Sequence, residues 1–210
     1  MDELVTKSWP QFVNIVDHLD LGAFTEVPYS FRGHANKDWR LQPTLLRSIT
    51  QPGITEEKAL ELEKLALDEF RAQAHIHLST NEYSLTHDNI SWWTIMQHHG
   101  APTRILDWTK SAYVAAYFAV SSGFDTDGAV IFVHSNSLHS KMGEIYGNYS
   151  MPKYQKALED AYIQRGAPNA VTFFERLSKS ERMVAQQGLF CICRNILGDH
   201  ENIMSEAFKD

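Results

Sequence analysis

Between Ser30 and Arg47 the chain reads SFRGHANKDWRLQPTLLR, which gathers five basic side chains, Arg32, His34, Lys37, Arg40 and Arg47, around Gly33 and Trp39. The whole 210-residue chain carries a net charge of −7, so this much local positive charge needs a counterpart. Guanidinium groups are planar forks that match paired oxygen acceptors such as phosphate, and indole and phenol rings offer stacking faces. A second concentration, QHHGAPTRILDWTKSAYVAAYFA at residues 97–119, adds Arg104, Asp107, Trp108, Thr109, Ser111, Tyr113 and Tyr117. Together these are the parts of a nucleotide pocket, with Gly33 letting a ligand come close to the backbone beside Arg32. The competing reading is that Arg32 pairs with Asp107 and only locks a strand to the central loop, because a buried arginine needs a carboxylate whatever its purpose. Arg104 is expected to point back toward Arg32's cleft or its carboxylates.

The elements that must hold these residues follow from local pattern. Ser8, Pro10 and the apolar set Trp9, Phe12, Ile15, Val16 and Leu19 give a capped amphipathic helix ending before Gly22. EVPYSFRG reads as a strand that delivers Arg32 to its end. The longest helical pattern runs from Thr55 to about Leu78, with Ala59, Leu62, Ala66, Phe70 and Gln73 on one stripe. A further helix is expected from an Asp88 cap to a left-handed stop at Gly100. It is followed by a short strand and a small-residue helix. GAVIFVHS reads as a buried strand, residues 136–169 as a loop-rich excursion with one short helix at 152–164, and NAVTFFER and QQGLFCICRN as two late strands. The order α, β, α, α, α, β, α, β, β, with a terminal helix in ENIMSEAFKD, gives an α+β domain rather than a doubly wound parallel sheet.

Composition narrows the function classes. With 43% apolar and 21% charged residues the chain builds a core, and 210 residues make one domain, 1–210, the default. An acidic chain is poorly suited to broad sequence-independent nucleic-acid binding. No stretch approaches a membrane span and the N-terminus lacks the pattern of a signal peptide, so a cytoplasmic protein without membrane contact is expected. G-x-S-x-G, Walker, G-x-G-x-x-G and H-E-x-x-H signatures are all missing. Cys191 and Cys193, two apart on a strand, read as buried thiols. His98 and His99 are adjacent and would diverge by about 100° around a helix. One histidine interacting with the terminal carbonyls is the preferred reading. No metal is therefore expected, and a hydrolase built on His98, His134 and Asp107 lacks a ligand pair on one face.

The Phe31-Arg32-Gly33 triplet and the QHHGAPTRILDWT run resemble the bacterial FRG domain family, with ERMVAQQGLF resembling its late Arg-x-x-x-Gln-x-Gly-x-Phe element. The resemblance covers about 31–190. It is more remotely similar to ADP-ribosyltransferases, whose first motif is a strand ending in Arg-Gly or His-Gly and whose second is a Ser/Thr-containing strand before a small-residue helix. That similarity implies a split, transferase-like β core that binds NAD as co-substrate. Arg32 would hold the diphosphate or ribose, Gly33 the carboxamide, and Tyr113 or Tyr117 the nicotinamide ring, with Thr109 and Ser111 ordering the site. In the third motif Arg182 stands near the transferase glutamate, flanked by Glu181, with Gln186 closer to the glycine. Glu181 or Asp107 would then stabilise the oxocarbenium-like ribosyl centre, or the domain binds nucleotide without fast transfer. The acceptor would be a nucleic acid or a protein. A toxin or phage-defence role, with an antitoxin or immunity partner, is implied by resemblance alone.

Overall fold

The computed structural model describes residues 3–19, 28–49, 53–84, 86, 88–122, 125–146, 165–175 and 184–209. Among them helices α1 (Trp9–His18), α2 (Thr44–Ile49), α3 (Glu56–His77), α4 (Thr80–Ser84), α5 (Asn89–His98), α6 (Ala112–Val120), α7 (Ser135–Tyr146) and α8 (His200–Ala207) surround five strands. These are β1 (Tyr29–His34), β2 (Ile105–Thr109), β3 (Ala129–His134), β4 (Val171–Phe174) and β5 (Gly188–Cys193). They form one antiparallel sheet in the order β3-β1-β2-β5-β4, which is the expected α+β class. β1 pairs with β3 along its whole length, from Tyr29 opposite His134 to His34 opposite Ala129. It meets β2 at a single register pair, Phe31 opposite Thr109. In place of the split core that the resemblance implied, the strands form one continuous sheet with a narrow seam between β1 and β2.

Helix ends follow the local chemistry. Asp88 accepts a hydrogen bond from the Ser91 amide at 2.6 Å, and Gly100 adopts φ +77° just past α5. Thr55 caps α3 by accepting from the Lys58 amide. Ser8 occupies the N-cap of α1 without a side-chain bond, leaving Pro10 as the signal there.

Four expectations are corrected. Four helices, α2 to α5, separate β1 from β2 where two were expected. β3 is a half-buried edge strand with Phe132 exposed, whereas the other edge strand, β4, is buried throughout. It runs directly into α7, which occupies the start of the expected loop; Leu138 and Met142, spaced four apart, bury one face of that helix despite Gly143. The buried line of α3 is Ala59, Glu63, Leu67 and Ala74, one residue round from the apolar stripe, and Gln73 is exposed. An acid sits in the middle of a core-facing line. The helix expected at 152–164 lies outside the described residues.

One face of the sheet packs α1 and α6 over β1 and β3 through Val16, Phe31, Ala112 and Ala115, and packs α3 and α5 over β2 and β5 through Leu67, Trp93, Met96, Ile105 and Ile192. The other face packs α7 and α8 through Leu106, Trp108, Leu138, Met142, Phe173, Cys191 and Met204. Cys191 and Cys193 are free, buried thiols, and burial pushes both up to about 12. No described helix is long and apolar enough to cross a membrane.

Candidate functional site

Alternation along β1 sends Arg32 and His34 to one face and Phe31 and Gly33 to the other. A β-carbon on Gly33 would stand 2.0 Å from the Ala115 carbonyl oxygen and 2.7 Å from the Ala119 amide nitrogen, so the glycine admits α6 rather than a ligand. Arg32 fills the opening where β1 and β2 part beyond their single register pair. Its Nη1 donates to the Asp107 carbonyl oxygen at 2.5 Å, in place of a missing ladder bond. Its Nε donates to His34 Nε2 at 3.0 Å. With Nε2 accepting, His34 carries its proton on Nδ1 and donates to the Trp39 carbonyl at 3.1 Å. Burial first, and then the charge of Arg32, push the His34 pKa down to about 4, so the imidazole is a neutral acceptor.

The Asp107 carboxylate is exposed and turned elsewhere. Gln97 Nε2 donates to its Oδ2 at 2.7 Å, while Gln97 Oε1 accepts from Thr103 Oγ1, so the end of α5 fixes the carboxylate's orientation. Arg32 and Asp107 therefore come together as expected, but through a peptide carbonyl. Burial lowers the Arg32 pKa; the nearby Asp107 charge opposes this, and Arg47 adds to the lowering.

The basic segment divides into two kinds of side chain. Lys37 pairs with Asp127 at 3.2 Å and Arg40 pairs with Asp199. Arg47 donates to Thr44 Oγ1 at 3.1 Å. Neither Arg32 nor Arg47 is ion-paired with a carboxylate among the described residues, and Arg32 Nη2 makes no hydrogen bond there. Trp39 is 54% exposed, its ring centroid 6.2 Å from that of His34. His200, buried at the start of α8, also lies within the field of Arg32; burial pushes its pKa down to about 4.

Several expected site residues serve the fold instead. Arg104 is 1% exposed: Nε donates to Glu63 Oε1 at 2.5 Å, Nη2 bonds Glu63 Oε2, and its Cζ lies 5.1 Å from the Trp93 ring centroid. It does not point toward Arg32's cleft, because the buried acid of α3 holds both arms of its fork. Trp108 is buried and donates to Cys191 Sγ at 3.0 Å, which leaves no stacking face. Thr109 Oγ1 donates to the Gln186 carbonyl at 2.7 Å, and Ser111 caps α6 by accepting from the Val114 amide. Tyr113, Tyr117 and Gln186 do meet, lining with Val114 and Phe118 an open depression of about 310 Å³ on the outer side of α6. This is the face of β1 away from Arg32. Glu181 lies outside the described residues.

Sequence reasoning missed Glu63 and His34 as the partners that sort the arginines. Glu63 was visible as an acid at the four-residue spacing of Ala59 and Leu67. It also took His98 and His99 to diverge, whereas both rings turn toward Glu82, because His99 has left the helix with φ −88° and ψ 9°.

Comparison with known proteins gives one family. Residues 27–128 match the FRG domain model, a span that includes Arg32, Arg47, Gln97 and Asp107 and ends well before Gln186. No curated protein matches the chain, and no solved structure does. With the Phe31-Arg32-Gly33 triplet on β1 and Asp107-Trp108-Thr109 on the strand beside it, the chain carries an FRG domain.

Proposed function

We propose that the domain binds the phosphate groups of a nucleotide at Arg32 and Arg47, with the base stacked on Trp39. One observation carries this reading: Arg32 has a guanidinium nitrogen without a hydrogen bond and lies within reach of the Arg47 charge, though less than of the Asp107 charge, while neither arginine is ion-paired with a carboxylate among the described residues. Like charges held together call for an anion, and Arg32 Nη2 is a donor left to receive it. The neutral His34 fixes the fork through Nε without adding positive charge. An exposed indole alongside is a sequence-tolerant platform for a base.

A second reading, NAD-dependent ADP-ribosyl transfer, is favoured by the exposed Asp107 carboxylate, whose charge reaches Arg32 although the side chain is turned toward Gln97. In that reaction the bond from ribose C1 to nicotinamide breaks with its electron pair leaving on nicotinamide. The acceptor's lone pair forms the new bond, and the acceptor, a protein or nucleic-acid group, gives up its proton. Asp107 would stabilise the positive charge on the ribosyl centre. Gly33 and Arg104 do not fit the NAD roles, since neither faces Arg32, and Trp108, on Arg32's side of the sheet, is buried against Cys191 with no ring face free. A toxin or phage-defence effector with an antitoxin partner remains the biological setting that the family resemblance implies.

Calorimetric titration with ATP, ADP-ribose and NAD tests both readings. Binding of ADP-ribose or ATP is expected to weaken about 10- to 150-fold in Arg32→Ala, the loss of hydrogen bonds to a charged group. Nicotinamide release that stops in Asp107→Asn, with NAD binding retained, would establish transfer. Absence of affinity for all three ligands overturns the nucleotide reading.

A further inference from the structure

We propose that Glu82, His98 and His99 form a binding site for a zinc-class divalent transition metal ion, with a fourth coordination position open to solvent. The ligand atoms are Glu82 Oε1, His98 Nδ1 and His99 Nε2, all within 4.8 Å of one another. Oε1 stands 3.7 Å from His98 Nδ1 and 3.4 Å from His99 Nε2. The His99 contact is a long hydrogen bond and the His98 contact lies beyond the usual 2.7–3.2 Å of an N–H···O bond. Both are close to the spacing a bridging ion requires, because ligands about 2.1 Å from a tetrahedral centre stand roughly 3.4 Å apart.

The three side chains are held in this arrangement by the surrounding fold. Ser79 and Glu82 form a reciprocal cap at the start of α4: Glu82 Oε2 accepts from the Ser79 amide at 2.9 Å and from its hydroxyl at 2.8 Å, and the Glu82 amide donates back to Ser79 Oγ. One carboxylate oxygen is thereby anchored and the other left to coordinate, as outer-shell hydrogen bonds do at metal centres. The end of α5 is fixed by backbone bonds from His99 to Ile95, Gly100 to Gln97 and Ala101 to Met96. Left-handed Gly100 lets the chain turn there, so two adjacent histidines serve one point. The His99 ring packs on Phe70 at 6.2 Å, and Tyr83 meets Trp92 edge-on at 5.9 Å, tying α4 to α5. With side chains 28–38% exposed, the site is reachable from solvent.

Two imidazoles and one carboxylate select among metals. Magnesium and calcium favour oxygen ligands throughout, whereas a nitrogen-rich set with an open position suits zinc and its neighbours. The site is separate from Arg32 and would exist whether or not nucleotide binds. It still borders the carboxylate site, since Gln97, the residue before His98, holds Asp107.

The test is calorimetric titration of chelator-treated, tag-free protein with Zn²⁺ alone, with Mg²⁺ as comparison and Co²⁺ for the visible spectrum. One Zn²⁺ per chain is expected, no comparable Mg²⁺ binding, and a Co²⁺ spectrum of four-coordinate intensity. His98→Ala/His99→Ala should abolish the binding, and Ser79→Ala should weaken it about tenfold or more by freeing the carboxylate. Glu82→Gln, which retains hydrogen-bonding groups near Ser79, gives the same loss without depending on the fold of the double variant. No stoichiometric binding overturns the proposal. Undiminished binding in the folded double variant or in Glu82→Gln does so equally, by assigning the ion to others of the ten histidines.

Discussion

Arg32 and Arg104 sit on neighbouring strands, one inside β1 and the other one residue ahead of β2, and the sequence invites the same role for both. Arg104 has a carboxylate on two of its nitrogens and an indole beneath it, with almost no surface left. Arg32 has a neutral imidazole on one nitrogen, a peptide carbonyl on another and nothing on the third among the described residues. Burial alone does not separate a structural arginine from a binding one. The charge of its acceptors does: a paired guanidinium is neutralised into the core, while one held by neutral groups keeps its charge for a ligand.

The largest expected effect breaks the pair that belongs to the fold. Arg104→Ala leaves the Glu63 carboxylate buried without its counter-charge, at a cost of about 3–5 kcal/mol in urea unfolding. Glu63→Leu/Arg104→Met, which removes both charges, should recover most of that loss. Arg32→Ala removes two bonds to neutral acceptors and should cost about 1–3 kcal/mol. Equal destabilisation by Arg32→Ala and Arg104→Ala would erase the distinction between the two sites.

Much of this was legible before any coordinates. The α+β class, the strands around Phe31 and Cys191, the cap at Asp88 and the stop at Gly100 all follow from short-range pattern, which the sequence states directly. The closeness of Arg32 and Asp107 was legible too, because the two motifs that carry them imply adjoining strands. The pairing of Arg104 was not. It depends on Glu63, 41 positions away, and a charged residue on a core-facing line is passed over when helix faces are read by hydrophobicity. The face assignments failed for a related reason: neighbouring strand residues point oppositely, so Arg32 and Gly33 cannot both line one pocket through their side chains.

Gly33 sharpens the comparison at intermediate size. Gly33→Ala drives a methyl into the backbone of α6, with the Ala115 carbonyl oxygen at 2.0 Å and the Ala119 nitrogen at 2.7 Å, and backbone cannot swing aside as a side chain can. The expected loss is about 1–3 kcal/mol from overpacking. Because that contact lies on the face opposite Arg32, Gly33→Ala protein that still folds should keep its nucleotide affinity within a few fold. A loss of affinity without a loss of stability would return the glycine to the ligand site.

The last effect is a slope with pH, and it arises on Arg32's side of the sheet. His34 and His200 each have a folded pKa near 4 against 6.5 for a free histidine, in both cases chiefly through burial. Between those values the unfolded chain binds more protons than the folded one. Their neutral, buried state therefore costs no stability above pH 6.5 and progressively more as pH falls toward 4. Each histidine contributes a slope of at most ~1.4 kcal/mol per pH unit across that window. His34→Gln can still accept from Arg32 Nε, yet it cannot titrate, so urea unfolding from pH 4 to 7 should lose one histidine's share of the slope while that of His200 persists. The Arg104–Glu63 pair offers no histidine to the window, and Glu63→Leu/Arg104→Met should change the slope only through the minor part that the Arg104 charge plays in lowering the His200 pKa. If His34→Gln also leaves the slope unchanged, His34 is not a neutral acceptor held by Arg32. The contrast between the two arginines would then rest on Glu63 alone.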